Sequence, residues 1–167
     1  LSNLSQLRSL LLNNNSLSGV LPPELSGALE LRFLMLNDNT FSGSLPAQWG
    51  GFPHLEFLNA SNNQLTGTIP FEIGNTSTLR QLYLSGNQLS GTLPSSLGNL
   101  SNLIHFYAEN NQLDGDIPAS FGGLQNLSIL RLSHNTLTGD IPPGLLTSPI
   151  MNILDLSDNH LSGVGLT

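Results

Sequence analysis

The chain has no cysteine and only four lysines and arginines against eleven aspartates and glutamates. The missing cysteines exclude disulfide staples and thiolate metal sites within these residues, and leave the redox compartment unreported. The scarcity of cations, with a net charge of -7, excludes a phosphate-binding surface, so no nucleic-acid partner is expected. Charged residues are 9% of the chain, where about a quarter is usual, so surface polarity rests on Ser, Thr, Asn and Gln. No run approaches the ~18 apolar residues of a membrane span, and no direct membrane contact is expected from this segment. No signal peptide opens the chain, and a glycine-rich phosphate loop and a Ser-His-Asp arrangement are also missing.

What is present is a 24-residue unit that recurs without insertion or deletion. Units start at Leu7, Leu31, Leu55, Leu79, Leu103, Leu127 and Met151, after residues 1–6, which read as the tail of a preceding unit. Asparagine keeps the spacing at Asn15, Asn39, Asn63, Asn87, Asn111, Asn135 and Asn159. Glycine keeps it from Gly19 to Gly163, and proline from Pro22 to Pro142. Fixed-period self-similarity of this length predicts a solenoid in which each unit buries its apolar face against its neighbours. The chain is therefore read as a single array over 1–167, its last unit incomplete, and as a fragment of a longer array. Both ends are expected to expose apolar rungs, notably Met151, Ile153, Leu154 and Leu156 at the far end.

Within a unit the pattern is L-x-x-L-x-L-x-x-N-x-L-S/T-G-x-I/L-P, shown clearly by Leu79, Leu82, Leu84, Asn87, Leu89, Gly91, Leu93 and Pro94. The L-x-L core alternates with period 2 and predicts a short strand. Strands recurring every 24 residues stack in parallel at about 4.8 Å, so seven rungs span about 30 Å. The asparagine falls at an inward position where the backbone turns, and a buried amide must be hydrogen-bonded. Its regular spacing predicts a structural asparagine ladder serving the turns of adjacent units. The proline ends ladder pairing on its side.

This motif resembles the plant-specific class of leucine-rich repeat, found in the ectodomains of plant receptor-like kinases and receptor-like proteins and in polygalacturonase-inhibiting proteins. The resemblance covers essentially the whole chain. It implies an α/β repeat solenoid: a right-handed leucine-rich-repeat superhelix with a parallel concave β-sheet, short second strands on a flank, and 3₁₀ or helical turns on the convex side. The departures are Ala60, Ala108 and Phe106 at strand leucines, and Asp114 at a Ser/Thr position.

With the strand leucines inward, the intervening residues form concave columns. One reads Ser9, Phe33, Phe57, Gln81, His105, Ile129, Ile153; the next reads Leu11, Met35, Asn59, Tyr83, Tyr107, Arg131, Asp155. A third, polar column includes Ser61, Ser85 and Glu109. Both tyrosines and two phenylalanines stand where the fold requires no apolar residue, the mark of an interaction site. The expected ligand-binding residues are Phe33, Met35, Phe57, Gln81, Tyr83, His105, Tyr107, Glu109, Ile129 and Arg131. An open sheet of short strands lacks the water-excluding pocket that catalysis needs, so no catalytic residues and no cofactor are expected. His134 and Asp158 share a column with His160 near, but without further ligands at fixed spacing they define no metal site. Asp114, Asp116 and Asp140 read as a solvated acidic flank. Sequons mark Asn3, Asn14, Asn59, Asn75, Asn99 and Asn126 as N-glycosylation acceptors.

The resemblance implies an extracellular or cell-surface recognition module of a receptor-like protein, with a peptide, a cell-wall-derived ligand or a co-receptor as partner. A secreted inhibitor of a microbial wall-degrading enzyme and an intracellular scaffold are the alternatives. The parent chain would be a single-pass plasma-membrane protein under the first reading.

Overall fold

The structure is a computed structural model that describes residues 4–164; the sequon at Asn3 lies outside them. Seven three-residue strands (Ser9–Leu11, Phe33–Met35, Phe57–Asn59, Gln81–Tyr83, His105–Tyr107, Ile129–Arg131 and Ile153–Asp155) form one parallel sheet in chain order. Its register is a constant 24 residues, as in Phe33 beside Phe57 and Phe57 beside Gln81. A second parallel sheet of six strands runs along the flank, from Ser18–Val20 to Thr136–Thr138, with Asp140–Ile141 pairing Gly163–Val164 beyond it. Each rung then returns through a short turn. Five of these are 3₁₀ helices (Pro23–Gly27, Ala47–Gly51, Phe71–Asn75, Ser95–Asn99, Ala119–Gly123) and the sixth, Pro143–Leu146, is a single α turn. The chain is thus a leucine-rich-repeat solenoid with the seven-stranded sheet on its concave side.

The core lies between the two sheets and the turns. The strand leucines Leu34, Leu58, Leu82 and Leu130 are fully buried, as is Phe106 in the same column. Each such side chain contributes about 1.5–3 kcal/mol over remaining exposed. Phe106 needs more room than leucine; it packs edge-on against Phe121 at 6.2 Å, while Ala108, two residues on, is small and fully buried. The 3₁₀ turns stack closely enough that a Cβ on Gly74 would fall against the backbone carbonyl of Ser96, which confines that position to glycine.

The asparagines tie rung to rung. Asn87 Nδ2 donates to the carbonyls of Ala60 (3.0 Å), Leu84 (3.0 Å) and Ser85 (3.3 Å), and its Oδ1 accepts the Leu65 N–H at 3.0 Å. The arrangement repeats at Asn63, Asn111, Asn135 and Asn159. It is also redundant, because the Leu84 carbonyl receives Asn111 Nδ2 as well, and the Ala60 carbonyl receives Asn63 Nδ2. Asn87→Leu therefore orphans one N–H outright, that of Leu65, and leaves the carbonyls half-served. We expect it to cost about 1–3 kcal/mol, read as a lowered midpoint in urea at unchanged slope.

One residue before each ladder asparagine the backbone turns left-handed: φ is +52° to +56° at Asn14, Asp38, Asn62, Asn110, His134 and Asp158, and +65° at Gly86. Asn, Asp and His are the side chains that tolerate this region best. His134 and Asp158 share a column for that reason, and their side chains meet at 3.2 Å. Among the described residues no group of three His, Asp or Glu side chains is placed to hold a metal ion.

The far end buries Met151, Ile153, Leu154 and Leu156 partly. The larger apolar exposure is at the first rung, where Leu11 (59%) and Val20 (70%) are open. There Leu10, Leu12, Leu21, Leu25 and Phe41 line an apolar cavity of about 370 Å³. Apolar exposure was expected at both ends, but Leu11 and Val20 were not named for it, because they stand at variable positions of the motif.

Candidate recognition surface

Period-2 alternation in each short strand sends its middle residue into the core and leaves its first and third on the concave face. With the register fixed at 24 residues, like positions fall in rows across the rungs. Phe33, Met35, Phe57, Gln81, Tyr83, His105, Tyr107, Ile129 and Arg131 all stand on this face at strand positions, and Glu109 follows just beyond its strand. Phe33 is exposed and the others are half-buried.

Their rings touch in sequence. Phe33 meets Phe57 at 6.5 Å between centroids, Phe57 meets Tyr83 edge-on at 5.3 Å, and Tyr83 meets Tyr107 at 4.7 Å. His105 lies beside both tyrosines, at 6.4 Å and 6.1 Å, and the Arg131 guanidinium sits over Tyr107 at 5.4 Å. Aromatic contacts of this kind are worth about 0.5–1.5 kcal/mol beyond burial, so the rings are held in place before any ligand arrives. The Tyr83 hydroxyl donates to Gln81 Oε1 at 2.8 Å and lies 3.0 Å from His105 Nδ1. Met35 and Ile129 stand on the end rungs of the row, in the strands of Phe33 and Arg131.

The electrostatics follow from this packing. Burial, and then the neighbouring Tyr107, push the Tyr83 phenol above its ordinary value, and burial pulls the His105 imidazole below its own. At the far edge the Ser157 hydroxyl, 2.7 Å away, holds the Asp155 carboxyl low. Because folding depresses the His105 pKa, the unfolded chain binds the extra proton below pH 6.5, and its contribution to stability is lost as pH falls through that value and lower. We expect the His105 ring signals to titrate with a midpoint under 6.5 in an NMR pH series. A midpoint at or above 6.5 would contradict the packed Tyr83–His105–Tyr107 cluster.

Beside the tyrosines the face sinks into a shallow depression of about 390 Å³, lined by Asn59, Ser61, Asn62, Tyr83, Ser85, Gly86, Tyr107, Glu109 and Asn110. Asn62, Gly86 and Asn110 were not among the residues expected from sequence. They belong to the left-handed turn positions, whose only trace in sequence is a preference for Asn, Asp, His or Gly before the ladder asparagine. Asn59, a sequon, sits in this depression with its Oδ1 accepting the Ser61 N–H. Asn14, Asn75, Asn99 and Asn126 are exposed, the middle two at the ends of 3₁₀ turns away from the concave face. Asp114 and Asp116 lie on the flank strand Gln112–Asp116, and Asp140 on the strand Asp140–Ile141 beyond the flank sheet. No helix among the described residues is long and apolar enough to cross a membrane.

Comparison with known proteins follows the same repeat. The family profile described as leucine rich repeat matches residues 77–137, a two-copy leucine-rich-repeat profile matches 53–100, and a single-repeat profile matches 6–28. No curated protein sequence gives a significant match. Among solved structures, the ectodomain of the Arabidopsis thaliana membrane receptor kinase GASSHO1/SCHENGEN3, in complex with CASPARIAN STRIP INTEGRITY FACTOR 2, is 40% identical with a TM-score of 0.95. That match covers 97% of this chain and 19% of the receptor chain. The Arabidopsis receptor kinase HAESA, in complex with the peptide hormone IDA and the co-receptor SERK1, is 38% identical with a TM-score of 0.90, over 93% of this chain and 26% of its own. A plant ice-binding protein is 31% identical with a TM-score of 0.83, over 96% of this chain and 52% of its own. The chain thus spans about a fifth to a quarter of the receptor chains it matches. By its repeat, its two parallel sheets and these likenesses, the chain belongs to the leucine-rich-repeat family, in the class found in plant receptor-kinase ectodomains.

Proposed function

We propose that the chain is a non-catalytic recognition module, part of the extracellular array of a plant-type receptor-like kinase or receptor-like protein, and that it binds a peptide in extended form along its concave face. One observation carries this reading: the unbroken row of touching side chains from Phe33 to Arg131 across five rungs. Rings already fixed against each other lose little ordering entropy on binding. Aromatic residues on a rigid surface are also the usual anchors of an interface.

The row spans four rung spacings, about 19 Å at 4.8 Å each, the length of some six residues of extended chain. Polar neighbours such as Gln81, Ser85 and Glu109 supply the rim that an interface core requires. The complex of HAESA with the peptide hormone IDA supports a peptide rather than a carbohydrate. A co-receptor would engage a second surface of the same array. Glycans at Asn75 and Asn99 would leave the concave face open, whereas one at Asn59 would fill the depression.

The test is selection from a displayed library of random seven-residue peptides, followed by titration of the enriched sequences. The expected result is saturable binding that Phe57→Ala weakens at least fivefold. A selection that enriches nothing dependent on Phe57 would sink the reading, and inhibition of a polygalacturonase by the same chain would replace it with the enzyme-inhibitor alternative.

A further inference from the structure

Four buried side-chain polar atoms among the described residues have no hydrogen-bond partner: Asn37 Oδ1, Ser85 Oγ, Glu109 Oε2 and Arg131 Nε. All four belong to the concave columns. A folded protein rarely leaves such groups unpaired, and their confinement to one face marks where an incoming molecule completes the bonding. The residues that carry two of them, Ser85 and Glu109, line the same depression on neighbouring rungs, with Tyr83 and Tyr107 also in its lining.

From this we infer that the depression is a subsite for one cationic nitrogen of the bound ligand, an ammonium or guanidinium. The inference rests on the recognition reading above and specifies its chemistry. An ionised carboxylate oxygen without a donor calls for a positively charged one, since charge-assisted N–H···O bonds are the strong class. The Ser85 hydroxyl, on the neighbouring rung, offers a second acceptor within the same lining. The tyrosine faces attract a cation through their quadrupoles. Arg131 sits over Tyr107 but does not line the depression, so the site is not already filled by a cation of the chain. A net charge of -7 draws cations toward the surface. An anionic group would meet Glu109 head-on.

The test uses the full chain and four small probes followed by NMR at the backbone amides of Gly86 and Glu109. These are Nα-acetyl-lysine amide, Nα-acetyl-arginine amide, glycinamide for a free α-ammonium, and Nα-acetyl-norleucine amide as the uncharged control. At least one cationic probe should bind fivefold or more tightly than the norleucine probe. Preference for the lysine or arginine probe assigns a basic side chain of the ligand, and preference for glycinamide assigns its N-terminus. Glu109→Gln should bring the ratio of cationic to neutral affinity to about one, and Ser85→Ala should lower it two- to threefold. Equal binding of all four probes, or a preference that survives Glu109→Gln, overturns the subsite. Library peptides that depend on Phe57 but not on Glu109 would overturn it while leaving the recognition reading in place. Glu109-dependent cation binding with no selectable peptide would do the reverse.

Discussion

Trp49→Ala is expected to destabilise the array by about 3–5 kcal/mol and to detach its first two rungs from the rest. Trp49 is the sole tryptophan and is fully buried in the turn Ala47–Gly51, where the other rungs place Leu25, Ile73, Leu97, Phe121 and Leu145. Its ring packs 6.1 Å from Phe52, and its Nε1–H donates to the Pro22 carbonyl of the preceding rung at 3.2 Å. That carbonyl also accepts the Leu25 N–H, so the lost hydrogen bond leaves no orphan and the cost is almost wholly cavity. The magnitude decides the consequence. At about 0.05–0.15 kcal/mol per residue, a 24-residue rung has a net stability of only about 1–4 kcal/mol, so the loss matches or exceeds one rung.

In a solenoid that stability is a sum of rung and neighbour terms. The defect therefore acts locally, and unfolding should separate into two steps. Hydrogen exchange should show lost protection in residues 9–20 and 33–43 at denaturant concentrations where 81–116 remain protected. Asn87→Leu, by contrast, removes about 1–3 kcal/mol from an interior rung and should lower stability without splitting the transition. A single transition with uniform loss of protection in Trp49→Ala would show that the rungs couple more strongly than nearest-neighbour packing allows.

The strands, the asparagine column and the concave rows were legible in sequence because each rung repeats one environment, whereas the flank sheet was expected from the family resemblance. At a strict 24-residue period, Leu34, Leu58 and Leu82 report the same inward position three times over, and a single chain serves as its own alignment. Features that differ between rungs were not legible in this way. The spacing put His134 and Asp158 in one column but gave no reason for their residue types, which a backbone with φ near +55° selects. The turn at Pro143–Leu146 is α rather than 3₁₀, a choice that depends on local hydrogen bonding rather than on leucine spacing.

The finer chemistry of the concave face was hidden for a related reason. Sequence placed Tyr83, Tyr107, Ser85 and Glu109 in adjacent columns, but which atoms find partners depends on rotamers. Tyr83 turns its hydroxyl to Gln81 and His105, away from Ser85, whose Oγ is left unpaired. A period fixes where side chains start and leaves open where they end.

Replacing both tyrosines, Tyr83→Ala with Tyr107→Ala, is expected to weaken binding of any peptide selected on the wild-type chain by a hundredfold or more, about 3 kcal/mol. The two rings stand at the centre of the row, 4.7 Å apart, with Phe57 on one side and Arg131 on the other. Their removal cuts the contact surface in two. Residues in contact do not act independently. Each single variant should disturb its partner's ring, and the two single losses should not sum to that of the pair. Stability should change far less, by about 1–2 kcal/mol, because both rings are half-exposed and the inward Leu82 and Phe106 remain. Tyr83→Phe separates the two roles of that residue. It keeps the ring contacts and removes the bonds to Gln81 and His105, so its loss in affinity should be about fivefold. Titration calorimetry with a selected peptide, alongside urea unfolding of each variant, measures both quantities. Affinity within twofold of wild type in the double variant, with the fold intact, would place the binding surface elsewhere on the solenoid.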